Sequence, residues 1–421
     1  MLGDKLQRAN GNWVVGDRFW DRERELDLFT EYLKEGANIL LVAPRRIGKT
    51  SLMREAARRI EDEFICLQVD LQKNQSASDA IVELSIATQP YLSLWKKTTG
   101  VFGNILDKFA GRIDTVGIDD LKITLRSGLD EGNWRAKGER LFEALALSDK
   151  PVVIFWDEVP ILINRMLKGD DYKITPERRQ KADSFMSWLR ANSQLHQGKV
   201  RQVITGSIGI EPILRQAGLN ATLNHFIPFH LEAWADAIAE ACLIALANQY
   251  NLTFQPTASE YMIKRLGYCI PHYVQMFFDH VYRYCRLRDK KEITIELVDE
   301  VYKNSMLSVR GHAELSHLEE RLRMVLGIEL YPLALEILTE AAIVGQLTAE
   351  AVEILSSYSI TDRILRQNAV TEILGVLEHD GYLRKEEDKF YYFVSPLLQD
   401  WWKAHFGFGF KSAFERKEKE Q

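Results

Sequence analysis

The stretch 38–60, NILLV-APRRIGKT-SLMREAARRI, constrains the fold more than any other part of the chain. Asn38–Val42 is a short, unbroken apolar run, the pattern of a strand buried on both faces of a parallel sheet. Ser51–Ile60 has helical spacing. The loop between them ends in Gly48-Lys49-Thr50, so Lys49 falls where the helix begins. In such a loop the backbone N–H groups and the helix N-terminus cradle phosphates, the lysine reaches the β- and γ-phosphates, and the threonine hydroxyl ligates Mg²⁺. Gly48 lets the backbone approach closely, because a side chain there would intrude. The string GK[ST] alone is common; the strand before it and the helix after it make it specific. The nucleotide-binding set expected from this segment is Ala43, Pro44, Arg45, Arg46, Ile47, Gly48, Lys49, Thr50 and Ser51. The first position is Ala43, where such loops carry glycine; a Cβ is tolerated there if φ is negative, so this departure bears on affinity.

The rest of the first half continues an α/β pattern. Phe64–Asp70 (FICLQVD) predicts a second strand and completes a βαβ unit. Residues 71–140 read as an insertion, with helices over Asp79–Thr88 and Leu94–Phe109 and an exposed hairpin strand over Gly117–Leu125. Trp134–Ala146 and Lys181–Asn192 predict helices. Val152–Trp156 (VVIFW) predicts a third strand and Arg201–Thr205 a fourth. The third ends in Asp157-Glu158, where Asp157 is placed to hold Mg²⁺ and Glu158 to act as general base on an attacking water. The fourth ends in Thr205-Gly206-Ser207. There Thr205 and Ser207 are candidate catalytic groups toward the γ-phosphate or the water, the plain alternative being a strand-end turn. ATP and Mg²⁺ are the ligands this pattern predicts.

From Leu231 the strand pattern stops. Helical patterns over Ala233–Gln249, Ala258–Leu266, Pro271–Arg286 and Ile295–Met306 predict a small all-α region. Helices at Leu333–Val344, Thr348–Leu355 and Gln367–His379, followed by Tyr382–Lys385 and Phe390–Val394 around an acidic turn, follow the order of a winged helix. The expected organisation is a P-loop α/β core (1–228), a helical lid (229–328), a winged helix (329–410) and a frayed charged tail (411–421).

Lys49-Thr50, Asp157-Glu158 and Gly206-Ser207, in that order, resemble the archaeal-type ATPases, relatives of STAND signalling ATPases and of initiator-type AAA+ ATPases of the origin-recognition class. Asp17–Glu23 is similar to the segment that precedes the first helix in that family, and the resemblance implies that Phe19 and Arg22 lie near adenine and ribose. Gly267–Tyr273 resembles the glycine–proline segment of the family's lid, which implies that Pro271 approaches the nucleotide and reports its phosphate state. Leu377–Trp402 looks like the family's winged-helix end. The resemblance spans residues 15–405. It implies an ATPase acting as a slow switch, whose lid and winged helix relay nucleotide state to a partner protein or a second copy of the chain. No arginine finger stands out: Arg215 follows the fourth strand, and Arg201 and Arg265 compete with it. Arg45 and Arg46 have four readings: phosphate contact, subunit contact, lid contact, or solvation.

Charge and composition narrow the alternatives. A formal charge of −6 argues against a non-specific nucleic-acid coat. Four scattered cysteines without CxxC spacing fit a reducing compartment. The N-terminus has no signal-peptide core, and the apolar runs are too short to cross a bilayer, so the sequence predicts a cytoplasmic protein. A DNA-binding initiator or regulator is the alternative function. Residues 331–421 hold 10 Lys and Arg against 15 Asp and Glu, and the helix read at Gln367–His379 contains no basic residue besides its terminal histidine. That favours a winged helix facing protein over one facing DNA, with Arg363 and Arg366 keeping DNA contact open. A small-molecule kinase is the third reading; the acid directly after Asp157 favours water as nucleophile instead.

Overall fold

Five short segments pair into one sheet: β1 (Ile39–Val42), β2 (Ile65–Asp70), β3 (Val152–Asp157), β4 (Val200–Thr205) and β5 (Ile227–His230). Their order is β2-β3-β4-β1-β5, and every neighbouring pair is parallel. The computed structural model of the protein describes residues 6–9, 11, 13–103, 117–206, 208–307 and 309–420. The chain divides into two compact units: a sheet unit of Arg22–Val42 with Leu52–Leu231, and a helical unit of Met1–Asp21, Ala43–Ser51 and Glu232–Gln421.

In the sheet unit, Val152 through Trp156 are wholly buried, which is why β3 reads as a continuous apolar run rather than an alternation. One polar side chain, Gln202, is equally buried in β4. It accepts from Trp156 Nε1 at 3.0 Å and donates to the Leu189 carbonyl at 3.0 Å, so its amide is satisfied across the β3–β4 pair. Because all five strands run parallel, their C-terminal ends share one edge, and β4 separates the tips of β1 and β3. The sequence reading missed β5. Pro228 sits on this edge strand, where a missing N–H is tolerated, and only Phe229 of its four residues is buried.

Between β2 and β3 lie helices at Ala77–Ala87, Leu92–Phe102, Ile118–Ser127 and Trp134–Ala146. The segment expected to be a hairpin strand at Gly117–Leu125 is therefore helical. Leu121 and Leu125 are both fully buried, and their four-residue spacing places them on one helix face. Lys122 and Arg126, four apart in the same way, pair with Glu83 (2.6 Å) and Asp79 (2.7 Å) of the helix Ala77–Ala87. The helix expected over Leu94–Phe109 is described to Phe102; the remainder falls outside the described residues.

The helical unit contains helices Asp236–Gln249, Ala258–Leu266, Pro271–Leu287 and Ile295–Val301, then a long element, Val309–Val344, kinked at Gly327 where φ is 72°. Ala349–Ser359 and Arg363–His379 follow, then the antiparallel pair β8 (Leu383–Lys385) and β9 (Tyr391–Phe393), and helices Pro396–Phe406 and Ala413–Glu420. A two-residue parallel pair, β6 (Thr253–Phe254) with β7 (Glu292–Ile293), ties the first of these helices together.

Two expectations are corrected here. The helix read from Gln367 begins at Arg363, because Asp362 accepts from the backbone N–H groups of Ile364 and Leu365 (2.9 and 2.8 Å) as its N-cap. Arg363 and Arg366 therefore lie on the helix. The tail read as frayed is a packed helix. Ala413 is fully buried, its N–H donates to Glu340 at 3.0 Å, and Arg416 and Lys417 pair with Glu336 and Glu350. No helix among the described residues is long and apolar enough to cross a membrane.

Candidate functional site

The loop after β1 is held by its own chemistry. Ile47, only 1% exposed, anchors it. Gly48 takes φ of +102°, and a Cβ built there would meet no atom within 4 Å, so the demand for glycine is conformational and the space above it is open. Lys49 is 7% exposed, and its ammonium donates to the carbonyls of Ala43 and Pro44 at 2.8 Å each, drawing the start of the loop toward its end. Ala43 does not have positive φ, which meets the condition for alanine in place of glycine. Thr50 is partly exposed in the first turn. Ser51 Oγ accepts from the Val14 N–H at 3.0 Å. The helix Lys49–Ile60 has no acidic residue in its first turn, so the partial positive charge of its N-terminus is not neutralised locally.

The same loop is contacted by the helices downstream. The Arg46 guanidinium, on a residue with φ of 62°, hydrogen-bonds the His272 imidazole. Of the four readings of Arg46, the contact seen is with the helix Pro271–Leu287, in the region the sequence reading assigns to a lid. A Cβ added at Gly381 would lie 3.6 Å from Pro44 Cβ. The neighbouring Tyr382 is 2% exposed and donates to the Leu318 carbonyl at 2.7 Å. Burial pushes its phenol well above the usual tyrosine range, while the Arg45 guanidinium acts on it in the opposite sense. Pro271 opens the helix Pro271–Leu287, one residue before the histidine that meets the loop. His272 was missed in the sequence, where only the proline of this segment had a signature. Phe19 is half-buried, and its N–H closes a short turn onto Gly16.

The remaining predicted residues belong to the sheet unit. Arg22, 5% exposed, precedes the helix Glu23–Lys34 with φ of 75° and pairs with Glu25 at 3.0 Å. Asp157 closes β3, and its register partner on β2 is Asp70. Glu158 follows with φ 63° and ψ 31°, a left-handed conformation, immediately before the helix Val159–Lys168. Thr205 is 1% exposed, and its hydroxyl donates to the Leu41 carbonyl of β1 at 3.1 Å. The hydroxyl is thus committed between β4 and β1 rather than directed beyond the strand ends. At Gly206 a Cβ would fall 2.4 Å from Pro160 Cδ, so glycine there permits close packing of the β4 tip on the helix after Glu158. Ser207 lies outside the described residues.

Of the arginine-finger candidates, Arg201 is buried, donates to the Leu33 carbonyl at 2.6 Å and stacks over Phe64. Arg265 pairs with Asp299 and stacks on Tyr302. Both have structural work. Arg215 is exposed and lines an open cleft of about 810 Å³ with Arg179, Asp183 and Gln216. One further residue went unnoticed in the sequence. Arg54, four positions after Thr50 on the same helix, is half-buried. Burial pushes its guanidinium below the usual arginine range, while Asp157 and Asp70 pull it upward.

No family model matches the sequence, and no curated protein matches it. Solved structures do. A Walker-type ATPase of Pyrococcus abyssi superposes with a TM-score of 0.59 at 16% identity, covering 96% of this chain and 100% of that one. The ORC2 protein of Aeropyrum pernix, solved in ADPNP and ADP complexes, superposes with a TM-score of 0.55 at 12% identity, covering 96% and 99%. The chain thus has the fold of the archaeal Walker-type and origin-recognition ATPases, with the α/β P-loop core and following helices that the sequence predicted.

Proposed function

We propose that this chain binds ATP with Mg²⁺ at the loop Ala43–Ser51, hydrolyses it slowly, and uses the nucleotide state as a switch read by its lid and C-terminal helices. The observation that carries the reading is that Pro44 and Arg46 of the loop are met by Gly381 and His272. A phosphate that reorders the loop would be felt there directly.

The loop fits the ligand in three respects. It has open space above Gly48, a buried lysine whose ammonium already bridges its carbonyls, and a helix start without acids. Lys49 would exchange its carbonyl partners for phosphate oxygens. Thr50 and Asp157 would supply the oxygen ligands suited to Mg²⁺. Bound Mg²⁺ would offset phosphate charge as it develops. Glu158 would orient a water and accept its proton. Thr205 would act through the β1 carbonyl it holds, fixing the tips of β4 and β1 relative to one another. In this reading Phe19 and Arg22 border the nucleoside, and Pro271 sets the start of the helix that carries His272.

Fluorescent-nucleotide titration and phosphate release test the site. Lys49→Ala should bind at least 10-fold more weakly, and Glu158→Gln should bind but turn over on the order of 100-fold more slowly. Hydrogen exchange over residues 268–275 and 380–384, with and without nucleotide, tests the switch. ATP hydrolysis at wild-type rate by Lys49→Ala would remove the site; unchanged exchange with nucleotide bound would remove the switch.

A DNA-binding initiator or regulator is the second reading, favoured by one observation. The helix Arg363–His379 opens with Arg363, Ile364 and Leu365, all exposed, and a recognition helix reads bases through its N-terminal residues. Arg366 is paired with Glu353 at 2.9 Å. If the segment from Leu333 to Phe393 is a winged helix that reads DNA, duplex binding at physiological salt falls about 10-fold in Arg363→Ala. Binding that stays weak and indifferent to this change leaves a protein-facing winged helix, partnered by another protein or a second copy of the chain.

A further inference from the structure

The chain ahead of the first helix is pinned at two places. Around residues 8 and 9 it is held by the helix Pro271–Leu287 and by Tyr250. The Ala9 N–H donates to Gln275 Oε1 at 2.7 Å, and Gln275 is itself buried. The Arg8 N–H donates to the Tyr250 hydroxyl at 3.3 Å, while its guanidinium pairs with Asp279. The Arg8 and Asp279 side chains are only 20% and 19% exposed. The same guanidinium lies 4.0 Å from the ring centroid of Tyr282 and 4.9 Å from that of Tyr250. Two aromatic faces shield it from water, so this pair holds more firmly than an ordinary surface ion pair. Further along, the Val14 N–H donates to Ser51 Oγ at 3.0 Å, in the first turn of the helix Lys49–Ile60. The residues that receive this segment form a stripe. His272, Gln275, Asp279 and Tyr282 follow one another at three- and four-residue steps, which places them on one helix face. His272 hydrogen-bonds Arg46, and the other three hold residues 8 and 9. The loop Ala43–Ser51 is therefore tied to one helix face twice, directly from Arg46 and from Ser51 through the segment 8–14.

We propose that Arg8 is a positioning residue for this loop: it latches the segment to the helix Pro271–Leu287, keeps the Val14 N–H on Ser51, and thereby slows the release of nucleotide. The inference rests on the reading of Ala43–Ser51 as a nucleotide site and assigns that site a control on exchange. Its partners Asp279, Tyr250 and Tyr282 are not loop residues, so Arg8 acts through Val14. The tether from Ala9 to Val14 is short, which gives the Val14 N–H an effective concentration on the order of millimolar at Ser51. The hydrogen bond re-forms faster than the loop can open around a ligand. Without the latch, the same hydrogen bond must recover the entropy of ordering the whole segment, and one neutral hydrogen bond is worth too little to do so. The loop then keeps its direct tie through Arg46 but loses the one that holds the start of its helix.

The experiment uses the full chain. Hydrogen exchange without nucleotide reads the latch. Arg8→Ala and Asp279→Ala should each raise exchange over residues 13–16 and, beyond the segment, over 48–53. The double variant should be no worse than the worse single one, because both changes break the same contact. Release of ADP carrying a fluorescent anthraniloyl group, chased with excess unlabelled ADP, reads the consequence. Both single variants should release it about 10-fold faster, while single-turnover hydrolysis of bound ATP stays within about 2-fold, a split between binding and chemistry. Arg8→Lys, which keeps the charge and can still lie over the rings, should restore most of the slow release. Ser51→Ala removes the acceptor, so Arg8→Ala should add nothing to its release rate. Three results overturn the proposal: exchange over 48–53 that stays at the wild-type level in Arg8→Ala, unchanged ADP release in that variant, or an Arg8→Ala effect that persists in full on Ser51→Ala. A wild-type chain that bound no ADP would remove the nucleotide reading, whereas exchange without nucleotide still decides whether Arg8 holds Ser51.

Discussion

Glu158 offers the sharpest separation of stability from function. Its backbone has φ 63° and ψ 31°, a region that costs a residue with a Cβ about 1–2 kcal/mol. No side-chain hydrogen bond caps the helix that follows, so the glutamate does not recover that cost as an N-cap. Glycine adopts the conformation freely but loses about 0.5–1 kcal/mol through its more flexible unfolded chain. The backbone part of Glu158→Gly is therefore neutral or stabilising by up to about 1 kcal/mol, a rise of at most about 4 °C in the melting of a unit this size, and loss of the side chain's own contacts subtracts from it. ATP hydrolysis by this variant should nonetheless fall on the order of 100-fold or more, as should that of Glu158→Gln, which retains the strain. Thr257 calibrates the comparison: it is also left-handed, with φ of 66° and no capping bond, so Thr257→Gly should gain stability without loss of turnover. Differential scanning calorimetry and phosphate release read both quantities. If Glu158→Gly melted more than about 3 °C below wild type, the glutamate would be held for structural contacts and the strain account would be wrong. If Glu158→Gln hydrolysed ATP normally, the general-base role would be wrong.

Three further outcomes follow from geometry already described. Gly267 has φ of 64°, and a Cβ there would lie 2.3 Å from Pro396 Cδ. Gly267→Ala should therefore destabilise by about 2–5 kcal/mol, strain and overpacking together, seen as a lowered denaturant midpoint. Removing residues 412–421 takes from Glu340, 1% exposed, both the Ala413 N–H and the nearby Arg416 charge. The truncated chain should melt several degrees lower, with partial recovery in a Glu340→Gln background, whereas a frayed tail would leave melting unchanged. Burial first, then the Arg190 charge, pushes the His225 imidazole down to about 4. The unfolded chain, with its histidine near 6.5, binds the extra proton between those values, so stability is lost as pH falls from about 6.5 toward 4. His225→Gln should flatten the melting-temperature profile in that window and leave it unchanged above pH 7.

What could be read from the sequence depended on how locally each feature is determined. The buried strands β1 and β3 were legible because both of their faces are covered, which leaves unbroken apolar runs. The loop after β1 was legible because Gly48-Lys49-Thr50 falls between a buried strand and a helix. By contrast β5 exposes Ile227 at 42% and contains a proline, so nothing local separates it from a loop. The helix Ile118–Ser127 was misread because Ile118, Leu121, Ile123 and Leu125 nearly alternate. Ile118 and Ile123 are 53% and 68% exposed, and only the pair spaced by four reaches the core. The start of the Arg363–His379 helix was misplaced by four residues because the cap, Asp362, was passed over. Arg54 and His272 had no local signal at all. The Asp157 and Asp70 charges act on Arg54 from neighbouring strands, and His272 meets Arg46 across more than two hundred residues of chain. A single sequence does not carry such tertiary neighbours.

Backbone strain sharpens the distinction between loop and site. Among the described residues, nine other than glycine have positive φ. Asp21, Asn251 and Asp289 are of the short polar types that tolerate the region. Tyr172, Thr257 and Lys389 lie in turns of the chain and are exposed. The other three, Arg22, Arg46 and Glu158, are long charged side chains with no intrinsic liking for this conformation, and each coincides with a residue predicted on independent grounds to border nucleotide. Their partners differ. Arg22 is fixed by Glu25 and Arg46 by His272, so for these two the fold can offset the cost through a contact made without ligand. At Glu158 the conformation turns the chain at the edge where β3 ends, directly after Asp157. Two adjacent acids in extended conformation would point to opposite faces of the sheet. A left-handed residue directly after Asp157 interrupts that alternation, and the general-base reading proposed for Glu158 requires the interruption.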